Sequence, residues 1–113
     1  MLTVERLLAE LELQPAVDAG SAERRIRWVH ISELEDPTPF LSGGELLLTT
    51  GINLTSASRQ RGFVRKLADR DVAGLGFGTG FDHSELPEAL VDEAQASGLP
   101  LFEIPYEMPF IAL

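Results

Sequence analysis

Residues 28–51 read WVHISELEDPTPFLSGGELLLTTG, and this stretch decides how the rest of the chain folds. Apolar side chains at 26–31 fall on both sides of an extended backbone, which predicts a buried strand. The Asp-Pro and Thr-Pro pairs at 36–39 exclude a continuing helix or central strand, so a fixed loop follows. Gly43-Gly44 allows a tight turn with positive φ, and the apolar run 45–49 is typical of a strand covered on both faces.

Helical and extended periodicities alternate on either side of this stretch. Connecting parallel strands requires crossovers, so the alternation predicts an α/β sandwich in which the later strands are parallel. The predicted elements are a helix at 3–11 capped by Thr3, paired strands at 16–19 and 26–31, a strand at 45–49, a helix ending near residue 70, a strand at 72–77, a helix from Pro87 to Gly98, and a strand at 101–104.

The strand at 72–77 has almost no side chains on one of its faces. Along most of its length only Gly74 and Gly76 point to that side, which predicts that a helix or a ligand approaches the backbone closely there. The glycines resemble a dinucleotide-binding fingerprint only superficially, because Thr79 and Phe81 interrupt the required spacing.

Bulk properties restrict the partners of the chain. The 113 residues contain no cysteine and carry a net charge of −9, so we expect one domain without disulfides and without direct DNA binding. The basic residues cluster at 24–27 and 59–70, whereas the last third is purely acidic. This asymmetry fits either solvated helix faces or a head-to-tail contact, and solvated faces are the preferred interpretation. No long apolar segment or secretory leader is seen, which predicts a cytoplasmic location away from membranes.

Few residues are suited to catalysis. The chain has two histidines, no nucleophile turn and no phosphate-binding loop, so we predict no enzymatic activity, no catalytic residues and no cofactor. His30 with Glu33 and Asp36 could ligate a metal, but its place in an apolar strand favours a core histidine, and no metal site is predicted.

The strongest candidate for a binding site is the edge beyond the carboxyl end of strand 45–49. Ligands favour this crevice in open α/β sheets, and a following helix N-terminus attracts polar or anionic groups. The same threonines and asparagine would also serve merely to cap the helix, and that alternative stays open. The predicted ligand-binding residues are Gly44, Glu45, Thr49, Thr50, Gly51 and Asn53.

The segment WVHISELEDPTPFLSGGELLLTTG resembles the PucR-type N-terminal domain of bacterial transcriptional regulators, and the resemblance extends from MLTVERLLAEL to LFEIPYEMPFIAL. It implies a three-layer α/β sandwich with a mostly parallel or mixed sheet, similar to the N-terminal domains of Mur ligases and HPr kinase. That layout alone raises a weaker alternative, a sugar-nucleotide-binding part of a ligase.

The resemblance also implies a division of the chain and a function. Residues 1–105 would form the regulatory domain, and 106–113 would begin a linker to further regions. The domain would sense a small catabolic metabolite for a regulator of catabolic genes, and the resemblance favours a purine-related compound. The alternative is a dimerisation or docking module that binds no small molecule, either as a homodimer or against other domains of the regulator.

Overall fold

A five-stranded mixed sheet forms the middle layer of the molecule in the order β1-β5-β4-β3-β2. The computed structural model describes the backbone of residues 1–113 and every side chain except that of Ala112. The principal elements are α1 (Val4–Leu11), β1 (Pro15–Val17), β2 (Trp28–Ile31), β3 (Glu45–Thr49), α2 (Ala57–Asp69), β4 (Gly74–Gly78), α3 (Glu88–Ser97) and β5 (Leu101–Ile104).

Strands β2, β3, β4 and β5 run parallel to one another, and only β1 runs antiparallel, against β5. Helices α2 and α3 cover one face, where they pack on Leu47, Leu75 and Phe77. Helix α1 covers the other face, which presents Leu46, Leu48, Phe102 and Ile104. The predicted three-layer α/β sandwich with a mixed sheet is therefore confirmed.

The central strand β3 is fully buried because both faces of the sheet are covered at its position. Leu46, Leu47 and Leu48 have no solvent exposure, and they divide between the two clusters according to the alternation of a strand. The double glycine before β3 has φ of 103° at Gly43 and 81° at Gly44, as the sequence predicts.

The prediction of a buried strand at 26–31 is wrong. Strand β2 lies at the edge of the sheet, and Trp28, Val29 and Ile31 are 46%, 42% and 51% exposed. The predicted pairing of 16–19 with 26–31 is also wrong, because β1 crosses the sheet to pair with β5. The apolar residues on both faces of this strand predicted burial on both faces. At the edge of the sheet, however, the helices of neither layer cover the Trp28, Val29 and Ile31 side chains fully.

The glycine face of β4 is closely packed, as predicted. A Cβ built on Gly74 would lie 3.2 Å from Val4 of α1, and one on Gly76 would lie 2.7–2.9 Å from Leu48, Phe102 and Ile104. Neighbouring side chains and α1 thus occupy the space that the missing side chains leave, and no room for a ligand remains over these two positions.

The C-terminal segment, residues 105–113, folds back onto the sheet. Met108, Phe110 and Leu113 pack against the α1-side cluster, and the Phe110 ring sits where a Cβ of Gly78 would be. A short 3-10 turn, Phe110–Ala112, ends the chain. This segment completes the third layer beside α1. Whether it leads into a linker stays a prediction.

Candidate functional site

The carboxyl end of β3 is tied to the preceding loop by the carboxylate of Glu33. Its oxygens accept the Thr49 hydroxyl at 2.8 Å, the Thr50 hydroxyl at 2.8 Å and the Thr50 main-chain N–H at 2.9 and 3.1 Å. The loop is also bonded to the segment after β3, since the Asn53 side-chain amide donates to the carbonyl of Glu33 at 2.6 Å. We call this set of four residues the Glu33 latch.

Gly51 follows Thr50 at the same edge of the sheet and has hydrogen-bond partners outside the latch loop. Its N–H donates to the Thr49 hydroxyl at 3.2 Å, and its carbonyl lies 2.9 Å from Nε2 of His83, whose ring meets the Phe77 ring edge-on. The φ of 72° and the nearness of the Phe77 ring exclude a side chain at position 51. The N–H groups of Thr50 and Gly51 and the Gly51 carbonyl are thus hydrogen-bonded within the protein.

The helix N-terminus does not take part in the edge. Helix α2 begins only at Ala57, and its N-cap is Ser56, whose hydroxyl accepts from the Arg59 N–H at 3.2 Å. The capping role proposed for Thr49, Thr50 and Asn53 is therefore wrong, because these residues bond to Glu33 instead. The main-chain N–H groups of Thr50 and Gly51 are also occupied, by the Glu33 carboxylate and by the Thr49 hydroxyl.

Gly44 and Glu45 lie at the other end of β3, so the prediction that all six residues share one edge is wrong. The four-residue separation corresponds to roughly 13 Å along a strand. Glu45 is fully buried, and its carboxylate accepts the N–H groups of Ser42 at 2.7 Å and Gly43 at 3.0 Å. It fixes the double-glycine turn, a structural role that leaves no free oxygen facing solvent.

A cavity of about 400 Å³ opens at the carboxyl edge beside Thr50. Most of its wall comes from the C-terminal segment, and the rest comes from Thr50 and from Phe81 in the loop after β4. The Phe81 and Tyr106 rings lie 5.1 Å apart at 49° and are 55% and 62% exposed. The lining residues are Thr50, Phe81, Tyr106, Glu107, Met108, Pro109 and Phe110.

The chemistry of this cavity is aromatic and weakly acidic. The flat faces of the rings suit stacking against a planar ligand. The Thr50 hydroxyl oxygen and the Glu107 carboxylate can accept hydrogen bonds from that ligand. No cationic side chain lines the wall. A planar, uncharged heterocycle with N–H donors matches these groups, whereas an anion does not. Of the six residues predicted to bind a ligand, only Thr50 lies on the cavity wall.

The basic face of α2 is matched by acidic groups within the same molecule. Lys66 lies 4.0 Å from Asp36, and Arg65 lies 3.1 Å from Glu93 of α3. Bonds from Thr38, followed by Lys66, hold the pKa of Asp36 below its usual value. The Ser97 hydroxyl and then Arg65 lower the pKa of Glu93. The Arg65 and Lys66 side chains remain 62% and 44% exposed in these pairs, as expected for a solvated helix face.

Neither a metal centre nor a membrane span is found among the residues that the structure describes. His30 is half-buried on the edge strand rather than enclosed in the core. Glu33 bonds to Thr49 and Thr50, and Asp36 bonds to the Thr38 hydroxyl at 2.6 Å. The acidic residues of this loop thus stabilise its backbone conformation.

Comparison with known proteins places the chain in a family. Residues 6–113 match the Purine catabolism regulatory protein-like family. The chain is 34% identical over 119 residues to the transcriptional activator PmfR of Paenarthrobacter nicotinovorans, covering all of this chain and 25% of that protein. It is 32% identical over 90 residues to the purine catabolism regulatory protein of Bacillus subtilis strain 168, covering 77% of this chain and 17% of that protein.

The chain is thus a domain of the kind found in bacterial transcription regulators, and it belongs to the PucR, or purine catabolism regulatory protein-like, family. The match confirms the resemblance found in the sequence. Both relatives are named as regulators rather than enzymes, which fits the prediction of a non-catalytic domain. The chain spans a quarter or less of the length of these two relatives.

Proposed function

We propose that this chain is the effector-sensing domain of a transcription regulator of catabolic genes, and that its effector binds in the cavity between Thr50 and the C-terminal segment. The observation that carries the proposal is the composition of the cavity wall. Five of its seven residues belong to the segment 106–110, so a ligand there contacts the part of the chain beyond the last strand. Occupancy would fix that segment against the sheet.

The proposed class of effector rests on the residues that line the cavity and on the name of one of the two relatives. Two exposed rings, a hydroxyl and a carboxylate favour a planar nitrogen heterocycle that donates hydrogen bonds. One relative is named for purine catabolism. We therefore propose a purine or a closely related catabolite as the ligand, in a regulator that works in the cytoplasm and in which this domain does not itself contact DNA.

A thermal-shift screen of purines, ureides and amino acids tests the proposal. A ligand at 100 times its dissociation constant stabilises the native state by about 2.7 kcal/mol. For a domain of this size the melting midpoint would rise on the order of 10 °C. Phe81→Ala and Tyr106→Ala should abolish the rise and leave the unliganded midpoint nearly unchanged, because both rings are more than half exposed.

Phe40→Ala provides the matched control, because Phe40 is 65% exposed and lies outside the cavity. It should leave the ligand-induced rise intact. Thr50→Val is the less specific variant, since the Thr50 hydroxyl also bonds to Glu33 at 2.8 Å and its loss weakens the latch. A screen without any stabilising compound, or a rise that persists in both ring variants, would reject the cavity as the effector site.

Protein docking without a small ligand is a second candidate function. The observation that favours it is the edge strand β2, which exposes three large apolar side chains. A domain with this function alone would show no thermal shift with any compound and would instead change its state of association.

A further inference from the structure

Side-chain packing alone holds the C-terminal segment to the rest of the domain. Two main-chain hydrogen bonds of 3.0 Å lie within the segment itself. The last bond to the sheet comes before it, from the Thr79 N–H to the carbonyl of Ile104 at 3.1 Å, and Pro105 has no N–H with which to extend the ladder. Among the hydrogen bonds and ion pairs of the described residues, none joins the segment to the remainder of the chain.

Two glycines at the end of β4 form the surface on which the segment packs. A Cβ built on Gly78 would lie 2.8 Å from the Phe110 ring, and one built on Gly80 would lie 2.7 Å from the Tyr106 side chain. Two aromatic residues of the segment therefore fill the space that these glycines leave open. The second half of the alternating glycine pattern in the sequence thus has a packing role of its own.

Release of the C-terminal segment would leave the core assembled. The buried residues of both core clusters lie at or before Ile104, and the segment adds only partly buried side chains to one of them. Because the segment makes no hydrogen bond to the domain, it can leave without breaking one. Only the burial of its apolar side chains opposes release, so this part of the chain should open more easily than the sheet and the helices.

We propose that the C-terminal segment exchanges between the docked state of this structure and a released state in which the rest of the domain stays folded. The cavity beside Thr50 exists only in the docked state, because five of its seven lining residues belong to the segment. A ligand of the cavity therefore binds one state and shifts the population toward docking. This effect of a ligand rests on the proposed function, whereas the exchange itself does not.

Thiol labelling measures the exchange, because the chain has no cysteine of its own. Leu113→Cys places a reporter at a partly buried position of the segment that does not line the cavity. Its thiol should react more slowly than that of Ile111→Cys, at a 91% exposed position, and much faster than that of Ala73→Cys, at a 3% exposed position in the same cluster. A rate equal to that of Ala73→Cys would mean that release requires global unfolding, and a rate equal to that of Ile111→Cys would mean that the segment is not docked. Either result would overturn the proposal.

A variant of the glycine surface tests what holds the segment. Gly78→Ala in the Leu113→Cys chain should raise the labelling rate roughly tenfold, because the added methyl group displaces the Phe110 ring. The φ of Gly78 is not positive, so the backbone accepts alanine there. Gly62→Ala is the matched control, since its Cβ meets nothing within 4 Å, and it should leave the rate unchanged. Phe110→Ala removes the same contact without adding bulk and should also accelerate labelling. If neither Gly78→Ala nor Phe110→Ala does so, this contact does not hold the segment and the proposal is wrong.

Hypoxanthine and xanthine serve as probes of the effect of a ligand. At 100 times its dissociation constant, a compound that binds only the docked state should slow the labelling of Leu113→Cys about 100-fold and leave that of Ile111→Cys unchanged. A purine that raises the melting midpoint without slowing this labelling would refute the link between cavity and docking. If neither purine raises the midpoint, the proposed effector fails, and the labelling rates without ligand still decide whether the segment detaches.

Discussion

Two acidic side chains hold the central part of the sequence in place, and both do so by accepting main-chain N–H groups. Glu45 fixes the double-glycine turn before β3, and Glu33 fixes the loop at the other end of that strand. Hydrogen bonds to an ionised acceptor are stronger than those between neutral groups. The latch brings together residues that are 16 and 17 positions apart, so it sets the path of the intervening loop.

Replacing Glu33 with Gln should destabilise the domain. The amide can still accept through one oxygen, but its NH₂ group would face the Thr50 N–H, which is also a donor. We expect a loss of about 1.5–3 kcal/mol in the free energy of unfolding, the usual contribution of a hydrogen bond to a charged group. Urea denaturation measures the loss.

Glu35→Gln is the control for this variant, because the Glu35 side chain is 43% exposed and its one ion pair, to Arg59, spans 3.8 Å. Its unfolding midpoint should match that of the unmodified chain. Equal midpoints for both variants would show that the Glu33 latch contributes nothing to stability.

Strand β4 has glycines on one face, and neighbouring elements pack closely against that face. Gly74 faces α1 and Gly78 faces the C-terminal segment. Between them, side chains of β3 and β5 cover the backbone at Gly76. Leu75 and Phe77 on the other face pack under α2 and α3. The strand therefore has one bulky face and one flat face, and the flat face lets the third layer approach.

Gly76→Ala should destabilise the domain, because its Cβ would lie 2.7–2.9 Å from Leu48, Phe102 and Ile104, none of which is more than 1% exposed. Overpacking of this kind costs about 1–3 kcal/mol, and Gly76→Val should cost more. Gly62→Ala in α2 is the matched control, since nothing lies within 4 Å of its Cβ. That variant should gain about 0.5–1 kcal/mol through helix propensity. Thermal melts of the two alanine variants should move in opposite directions.

At the scale of the whole molecule, the C-terminal segment belongs to the fold. It lies beside α1 in the third layer and also forms most of the cavity wall. One segment thus contributes both to stability and to the proposed binding site, which gives a ligand a direct mechanical connection to residues beyond β5.

Removing residues 106–113 should lower the free energy of unfolding by about 2–4 kcal/mol, since three partly buried apolar side chains are lost and full burial of one contributes about 1.5–3 kcal/mol. The truncation should also abolish any ligand-induced thermal shift. Ile111→Ala, at a position that is 91% exposed, should change neither quantity. A truncated chain as stable as the full one would show that the segment is not part of the folded domain.

The sequence by itself determined the order of the elements, the α/β class and the family. Helical spacing located α1, α2 and α3, and an unbroken apolar run located β3, because these signals are local and depend on which side chains recur at 3.6 or 2 residues. The positive φ of the double glycine and the close packing over Gly76 were also predictable, because the effects of a missing side chain are local to the glycine.

Only the tertiary structure decided which strands lie in the centre and which polar groups meet. The apolar residues of β2 and of β3 look alike in sequence, but sheet order leaves β2 at the edge and buries β3. Glu33 meets Thr49 and Thr50, and Phe81 meets Tyr106, across separations that no short-range pattern encodes. Local periodicity fixes which way a side chain points, whereas its neighbour depends on how distant segments pack, and that choice rests on the free energy of the whole core.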